Sequence, residues 1–400
     1  MTRLFSPLRL AEFFRSDGSD MRYEGLPVTP TLITWARTRA GLTIEEASKS
    51  FKRIQAWEDG EAFPTYPQLE QLADTFKVPV AVFFFPEPPA VPDIGETFRT
   101  LPAAEFERIP GRMRLLLRKA KALQLNLMEL TGGQNTSLRL ITRDLAFPSA
   151  VRLTDMADTV RAYLGVSLEE QKAFADDEAA LKRWRQVLLD AGIYVFKDAF
   201  KVGEFSGFGL YDEVFPIIYV NNSAAKTRQI FTLFHELAHL LFHTSGIDTI
   251  HDEYIRALTD EPKRIEILCN RFAAEFLLPE RAFNSAVRGL PATEATAEAV
   301  ARSFHVSREV VFRRFLDRGL IDESTYIEAA ERWAKQHGQG AGSGGDYYWT
   351  KLSYLGRDYV ALVLSQYRQN RITESQLAEY LDTKPKNLPG IEDYFSRGAA

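Results

Sequence analysis

The chain has 400 residues, which is too long for one small domain and favours two or three domains. Its 45% hydrophobic and 26% charged residues are ordinary for a folded protein and exclude a mostly disordered chain. The single cysteine, Cys269, excludes a disulfide framework and a zinc site built from several cysteines. The net charge of -5 gives no overall field that attracts nucleic acid, so any DNA contact would need a local basic patch.

The apolar residues are spread along the chain rather than gathered into one long run. The mean hydropathy is -0.21, and no run of about 18 apolar residues occurs, so a transmembrane helix is not expected. Residues 1–10 are too interrupted in apolar character for the hydrophobic region of a secretory signal. We therefore expect a cytoplasmic protein without a membrane partner.

The first unit, residues 30–85, is predicted to consist of short helices. Apolar residues recur with helical spacing from residue 32, and Gly41 should end this first helix. Thr43 is the predicted N-cap of the second helix, and Glu46 completes a capping box. The predicted core of the unit consists of Leu32, Ile33, Ala36, Ala47, Trp57, Leu69, Leu72, Ala73 and Phe76.

The middle of the chain changes from helices to strands near residue 191. A short β-type run follows, and then residues 205–211 and 215–221 predict a β-hairpin around Asp212. Helical spacing returns directly after the hairpin. The helices of this region are expected at 105–131, at 153–189 as two helices, and at 226–242.

The sharpest chemical feature is the sequence HELAH, which begins at His235 inside a predicted helix. Residues four apart lie on the same face of a helix, so the imidazoles of His235 and His239 can hold one Zn²⁺ ion. Glu236, next to the first histidine, can take a proton from a water molecule at the metal. This is the HExxH motif of zinc metallopeptidases, and Glu236 is the expected catalytic residue.

A catalytic zinc site needs a third protein ligand, and three residues are candidates. His243 follows His239 by four residues, but no glycine breaks the helix there, so it would drift away from the metal. Glu266 and Glu275 are nine residues apart on one predicted helix and therefore point to opposite faces. We favour Glu266, because Asn270 on its face can accept a hydrogen bond from a zinc histidine. This is the gluzincin arrangement, with a glutamate as the third ligand and a polar residue four positions on. Glu275 is then expected to be a solvated or ion-paired carboxylate near a helix end.

The expected mechanism follows from the metal and Glu236. Zinc lowers the pKa of a bound water and polarises the scissile carbonyl, while Glu236 moves the proton to the leaving amine. An oxyanion donor is also expected. Tyr219 and Tyr254 lie in the right region, although ordinary packing is the simpler interpretation. The substrate should lie extended along a sheet edge, for which the hairpin at 205–221 is the candidate.

Three stretches, in this order, resemble the ImmA/IrrE family of metallopeptidases: GFGLYDEVFPIIYVN, RQIFTLFHELAHLLFH and EILCNRFAAEFLLP. With their flanks they span residues 160–330, approximately. The resemblance implies a zinc endopeptidase that cleaves a helix-turn-helix repressor or antitoxin and so derepresses stress, phage-defence or mobile-element genes. It maps the zinc ligands of the family onto His235, His239 and Glu266, and the catalytic glutamate onto Glu236.

The N-terminal unit resembles an Xre-type helix-turn-helix domain, through WARTRAGLTIEEAS and AWEDGEAFPTYPQLEQLADTFKVP. It departs from that pattern between Gly41 and Trp57, where about four residues are missing from the turn and the recognition helix. Residues 28–90 also hold six Lys/Arg against eight Asp/Glu, which makes a poor phosphate binder. A small basic patch with Lys52, Arg53 and Gln55 remains the possible DNA contact.

Two classes of function stay open at this point. The first is an active zinc endopeptidase, and the second is a DNA-binding transcriptional regulator whose peptidase fold acts as a sensor or partner-binding module. The complete HExxH motif and Glu266 favour the first. Cys269, one helical turn after Glu266, adds a minor hypothesis of a thiolate switch at the metal, against the simpler interpretation of a small buried residue.

These features together predict an α+β, mainly helical protein. A small all-α helix-turn-helix domain precedes a zincin-like domain of the gluzincin type, which has a small antiparallel sheet and a helical C-terminal tail. The predicted segments are an N-terminal arm at 1–27, the helix-turn-helix domain at 28–90, a helical connector at 91–165, the peptidase domain at 166–335, a glycine-rich linker at 336–346 and a helical segment at 347–400.

Overall fold

The structure, a computed structural model, describes residues 25–76, 78–89, 109–203, 205–249, 260–337 and 346–398. The chain divides into two compact units, Met1–Val91 and Pro92–Ala400. Most of the predicted N-terminal arm, the glycine-rich linker and Tyr254 lie outside the described residues. Within the described part of the chain, none of the helices is both long and apolar enough to cross a bilayer.

The N-terminal unit is a small helical domain. Its elements are α1 (Pro30–Ala40), α2 (Ile44–Ser50), α3 (Ile54–Glu58), α4 (Tyr66–Phe76) and a 3-10 helix at Val80–Phe84. Gly41 ends α1 in the left-handed conformation, with φ of 74°, as the sequence predicted.

Local capping and apolar spacing explain these helices. The Thr43 hydroxyl accepts from the Glu46 amide at 3.1 Å, and the Glu46 carboxylate accepts from the Thr43 amide at 2.8 Å, which confirms the capping box. All nine predicted core residues are buried in one cluster, so the prediction of this core is confirmed. The third helix has only five residues, in agreement with the shortened segment before Trp57.

The second unit is built from a four-stranded sheet between layers of helices. Its strands are β1 (Tyr194–Asp198), β2 (Phe205–Leu210), β3 (Ile217–Asn221) and β4 (Ile247–Thr249). Its helices are α5 (Gly111–Leu130), α6 (Ile141–Asp144), α7 (Leu153–Leu164), α8 (Leu168–Lys172), α9 (Asp177–Asp190), α10 (Lys226–Leu241), α11 (Asp260–Leu277), α12 (Glu280–Ala286), α13 (Glu294–Phe304), α14 (Arg308–Asp317), α15 (Glu323–His337), α16 (Tyr347–Leu355), α17 (Arg357–Arg368), α18 (Glu374–Tyr380) and α19 (Leu388–Ser396).

The sheet is mixed, so the prediction of an antiparallel sheet was wrong in one pairing. The strand order is β1-β3-β2-β4, and β1 runs parallel to β3. The short loop from β2 to β3 makes those two strands antiparallel, as predicted for the hairpin. The chain passes from β1 to β2, which leaves one strand position between them and runs in the opposite direction. Strand β3 then returns between them, antiparallel to β2 and therefore parallel to β1.

The same topology corrects the expected sheet edge. Both strands of the 205–221 hairpin lie inside the sheet, since β3 pairs with β1 and β2 pairs with β4. The outer strands are therefore β1 and β4. Helix α16 packs on β1, and Arg185 joins the two by donating to the carbonyls of Val195 at 2.9 Å and Ser353 at 3.0 Å.

Each face of the sheet has its own apolar core. One face packs on α7, α9, α10 and α11, and it receives Val195, Ile218 and Val220 from the strands. The other face packs on α5 and on the C-terminal helices α16 to α19, and it receives Phe196, Tyr219 and other large residues. The predicted connector and tail segments are thus built into the same compact unit as the sheet. Burial on both faces explains why the strands read as apolar runs rather than as alternating patterns.

Candidate metal centre

Helix α10 places two histidines at one spot in the core. The helix is buried from Gln229 to Leu241, because it packs between the sheet and helices α9 and α11. His235 and His239 are 1% and 3% exposed, and their Nε2 atoms are 3.1 Å apart. The spacing of four residues therefore brings both imidazoles together at one point beside the helix.

Helix α11 brings Glu266 to the same spot. One carboxylate oxygen of Glu266 lies 3.3 Å from His235 Nε2, and the other lies 3.2 Å from His239 Nε2. The three side chains are buried, and their ligand atoms all lie within 4.8 Å of one another. Within the described residues, this is the one group of three or more His, Cys, Asp or Glu side chains that can hold a metal ion.

The outer nitrogens of both rings face hydrogen-bond acceptors. His235 Nδ1 lies 3.1 Å from Asn270 Oδ1, and His239 Nδ1 lies 3.3 Å from the Thr244 hydroxyl. The Thr244 hydroxyl donates its own proton to the His239 carbonyl at 3.1 Å, so it can accept from the ring. When the rings are neutral, each Nδ1 is the protonated nitrogen, and each Nε2 carries the lone pair that a metal ion would bind.

The charge state of Glu266 suits a ligand. Burial alone would raise the pKa of its carboxyl, but the positive charge and the N–H groups of His239 and His235, when these rings are protonated, outweigh that effect and hold the pKa below its ordinary value. Glu266 is therefore ionised at neutral pH. The spot thus combines two imidazole nitrogens with a carboxylate, a mixture of donors that suits zinc.

Glu236 is enclosed between α10 and strand β2. Its side chain has no exposed surface. A Cβ atom added at Gly209 would stand 2.9 Å from Glu236 Oε2, so the backbone of β2 lies directly against the carboxylate. A residue with a side chain at 209 would displace the carboxylate of the HExxH motif.

Two further glycines allow this close approach of helix, strand and the segment after α10. An added Cβ at Gly207 would stand 2.4 Å from the Thr232 methyl group, and one at Gly246 would stand 2.4 Å from the His239 ring. Sequence reasoning missed these glycines and Thr244. The GFG sequence of β2 and the small residues that follow α10 were the available signals, since glycine in a strand often marks a close approach of backbone.

The rejected ligand candidates make other contacts. Helix α10 ends at Leu241, earlier than the sequence predicted, and His243 beyond it is exposed and contacts Tyr211. Glu275 accepts from the Glu280 amide at 3.1 Å and pairs with Arg314 at 3.3 Å. Neither residue is part of the metal-binding group.

Tyr219 and Cys269 do not contribute to this group either. Tyr219 points to the opposite face of the sheet, where its ring stacks on Phe208 and its hydroxyl donates to Asp198 at 3.5 Å. It therefore packs, and an oxyanion role for it is not supported. Cys269 has no exposed surface and belongs to the core between α10 and α11.

The predicted DNA-contacting residues lie on the surface of the N-terminal unit. Lys52, Arg53 and Gln55 are exposed, and the Gln55 amide donates to Asp59 at 2.9 Å. Arg37, another basic residue of this unit, is held by Glu58 at 2.6 Å.

Comparison with known proteins places this centre in a family. The profile described as "IrrE N-terminal-like domain" matches residues 189–316, which include all four residues of the centre. The radiation response metalloprotease IrrE of Deinococcus deserti is 29% identical over 138 residues, covering 34% of this chain and 47% of that protein. IrrE of Deinococcus radiodurans is 39% identical over 74 residues, covering 18% of this chain and 22% of that protein. The chain thus spans about half the length of the first relative and about a fifth of the second.

A solved structure with a partial likeness is a Mycobacterium tuberculosis transcriptional regulator. Its TM-score is 0.29 at 19% identity, and the match covers 41% of this chain and 46% of that one. This likeness is too low to support a conclusion. The sequence matches show that residues 189–316 are similar to the metallopeptidase domain of the IrrE proteins.

Proposed function

We propose that this chain is a zinc-dependent endopeptidase that works in the cytoplasm on a regulatory protein. The observation that supports this proposal best is the meeting of His235, His239 and Glu266 beside the enclosed carboxylate of Glu236. His235, His239 and Glu266 would hold the zinc ion, and Asn270 would keep the His235 ring in the ligating tautomer.

The distances between the three donors support zinc. A tetrahedral ion with ligands at about 2.0–2.1 Å sets its ligand atoms about 3.3 Å apart. The donor atoms of this site stand 3.1, 3.2 and 3.3 Å apart. When both rings are neutral, the lone pairs at such distances repel one another, and a bound cation would remove that repulsion.

Glu236 would carry the proton transfers of peptide hydrolysis. A bound zinc ion would supply an acidified water and polarise the scissile carbonyl. The Glu236 carboxylate takes the proton of the attacking water and then delivers it to the leaving amine. Enclosure by β2 and α10 keeps this carboxylate in one position and away from bulk water.

The substrate class rests on the family. The resemblance implies a helix-turn-helix repressor or an antitoxin as substrate, whose cleavage would derepress stress, phage-defence or mobile-element genes. Because the 205–221 hairpin lies inside the sheet, we place the extended substrate segment along the outer strand β4. The segment would then pass the end of α10 that carries the metal ligands.

The variant Glu236→Gln tests this function. It should keep the fold and one zinc ion per chain, because Glu236 is not a ligand, yet lose cleavage of a helix-turn-helix protein encoded beside its gene. Zinc content by emission spectrometry and cleavage by gel electrophoresis are the two measurements. Continued cleavage by this variant would show that Glu236 is not the base.

A second function, DNA-bound regulation, is supported by Lys52 and Arg53, which are exposed directly before α3. The short α3 and the acidic balance of the unit favour recognition of a protein, with weak DNA binding at most. Fluorescence anisotropy of the full-length Glu236→Gln variant with its own promoter, at about 0.15 M salt, decides between them. Specific binding tighter than about 10⁻⁷ M would favour the regulator.

A further inference from the structure

His243 occupies a position where a helix usually ends with glycine. Helix α10 closes at Phe242, and His243 follows in the left-handed conformation, with φ of 56°. The amide of Thr244 then donates back to the His239 carbonyl at 2.9 Å. A side chain other than that of glycine is strained in this conformation, and strained residues of this kind often cluster at functional sites.

Tyr211 lies against the exposed ring of His243. The two ring centroids are 4.9 Å apart, with 30° between the planes. Tyr211 stands two residues after Gly209, so its side chain leaves β2 on the same face that covers Glu236. It is partly buried, and it packs against the same core as α10.

Backbone contacts join this pair to the metal centre. Gly209 donates to the Gly246 carbonyl at 3.0 Å, and Gly246 lies against the His239 ring. One step further along the strand, the Tyr211 amide donates to the Ser245 hydroxyl at 3.0 Å. Tyr211 and His243 therefore stand one strand step beyond Glu236, at the outer end of α10.

His305 shows what a histidine does in the same backbone position when its role is structural. It follows α13 in the left-handed conformation, with φ of 55°. Its ring is buried, and its Nδ1 lies 2.8 Å from Asp177. His243, in contrast, turns its ring to solvent beside Tyr211, where a ligand can reach it.

We propose that the Tyr211 hydroxyl and the His243 imidazole bind the oxygen of the scissile carbonyl and stabilise the negative charge that develops on it. This inference rests on the proposed peptidase function and assigns the oxyanion donors of that site. Burial, with Glu213 and Asp212, raises the pKa of Tyr211, so its hydroxyl stays a proton donor at neutral pH. Preorganised donors of this kind are among the largest contributions to acyl-transfer catalysis.

Binding of acetohydroxamate to the full-length, zinc-loaded protein tests the proposal without a substrate. The hydroxamate oxygen is negatively charged at the metal, and it would take the place of the oxyanion. Tyr211→Phe and His243→Gly should each weaken its binding about tenfold, as measured by calorimetric titration, because each loses one hydrogen bond to a charged group. Tyr348→Phe, the same change on the opposite face of the sheet, is the matched control.

Stability separates this role from a structural one. Glycine relieves the strain at position 243, so His243→Gly should unfold at the same or a higher urea concentration than the wild type while it binds hydroxamate more weakly. Unchanged affinity in both Tyr211→Phe and His243→Gly overturns the inference and leaves the proposed function intact. A wild type that holds zinc but binds no acetohydroxamate contradicts the proposed function itself, and the inference fails with it.

Discussion

The two faces of the sheet in the second unit differ in the size of their side chains. On strand β2, Gly207 and Gly209 face α10, whereas Phe208 and Leu210 fill the aromatic core on the other side. The face with the two glycines lacks side chains there, so α10, which carries the HExxH motif, can approach the strand closely. The other is filled with large rings so that the C-terminal helices can pack on it. Alternate residues of β2 thus face either the candidate site or the supporting core.

The polar clusters on the two faces differ in the same way. Toward α10, His235, His239 and Glu266 present electron-pair donors to one another. On the opposite face, Lys119 stands 2.9 Å from both Asp198 and Asp382 and supplies the positive charge itself. The second cluster balances its charges within the protein, whereas the first gathers donor atoms that could hold a metal ion. This difference distinguishes a candidate ligand site from an internal ion pair more clearly than the number of charged residues does.

The largest expected effect comes from removing one donor of the first cluster. Glu266→Ala should lower zinc affinity by about 100-fold or more, because two imidazoles alone bind the ion weakly. Glu275→Ala is the matched control on the same helix, since Glu275 pairs with Arg314 instead. Metal content after dialysis against a weak chelator is the measurement. Loss of zinc in Glu275→Ala with retention in Glu266→Ala would reverse the assignment.

The next largest effect is expected on the face of β2 that packs against α10. Gly207→Ala places a methyl group against Thr232 and the Tyr219 carbonyl, so it should lower the free energy of unfolding by about 1–3 kcal/mol. Gly203→Ala meets no atom within 4 Å and should change stability by less than about 0.5 kcal/mol. Urea unfolding compares the two variants. Equal stability of both would show that β2 and α10 can move apart without loss.

How far the sequence could predict this architecture depends on the range of each interaction. The HExxH spacing, the capping box at Thr43 and the opposite directions of Glu266 and Glu275 follow from helix geometry alone, which the sequence encodes locally. The parallel pairing of β1 with β3 and the pairing of β4 with β2 depend on contacts between distant segments. The roles of Gly207 and Gly209 depend on which helix covers the sheet, so their spacing alone did not indicate them.

A substitution in the ion cluster on the opposite face should have a smaller effect on stability, and this effect should depend on pH. Lys119→Met leaves Asp198 with Arg112 and Asp382 with Lys351, so it should cost about 1–2 kcal/mol, between an exposed and a buried pair. Burial would raise the pKa of Asp382, but Lys119 and Lys351 lower it overall. The contribution of such a carboxylate is present above its unfolded pKa and is lost as the pH falls through the folded one.

The stability difference between Lys119→Met and wild type should therefore shrink below about pH 4. Urea unfolding at neutral and acidic pH measures it, and zinc content should stay at the wild-type value. Loss of zinc in this variant would show that the two faces of the sheet are coupled.

The smallest effect is expected at Cys269, three residues after Glu266 on α11. If its thiolate held the metal and silenced the enzyme until oxidised, Cys269→Ala would be active without oxidant. The buried side chain belongs instead to the apolar core and lies outside the metal-binding group. Cys269→Ala should therefore keep the wild-type zinc content and the wild-type response to hydrogen peroxide, and lose only about 1 kcal/mol of stability through the missing sulfur atom. Cleavage of the protein substrate before and after peroxide treatment is the measurement. Constitutive activity in Cys269→Ala would favour the thiolate switch, since a residue that only fills space has no means of silencing the site.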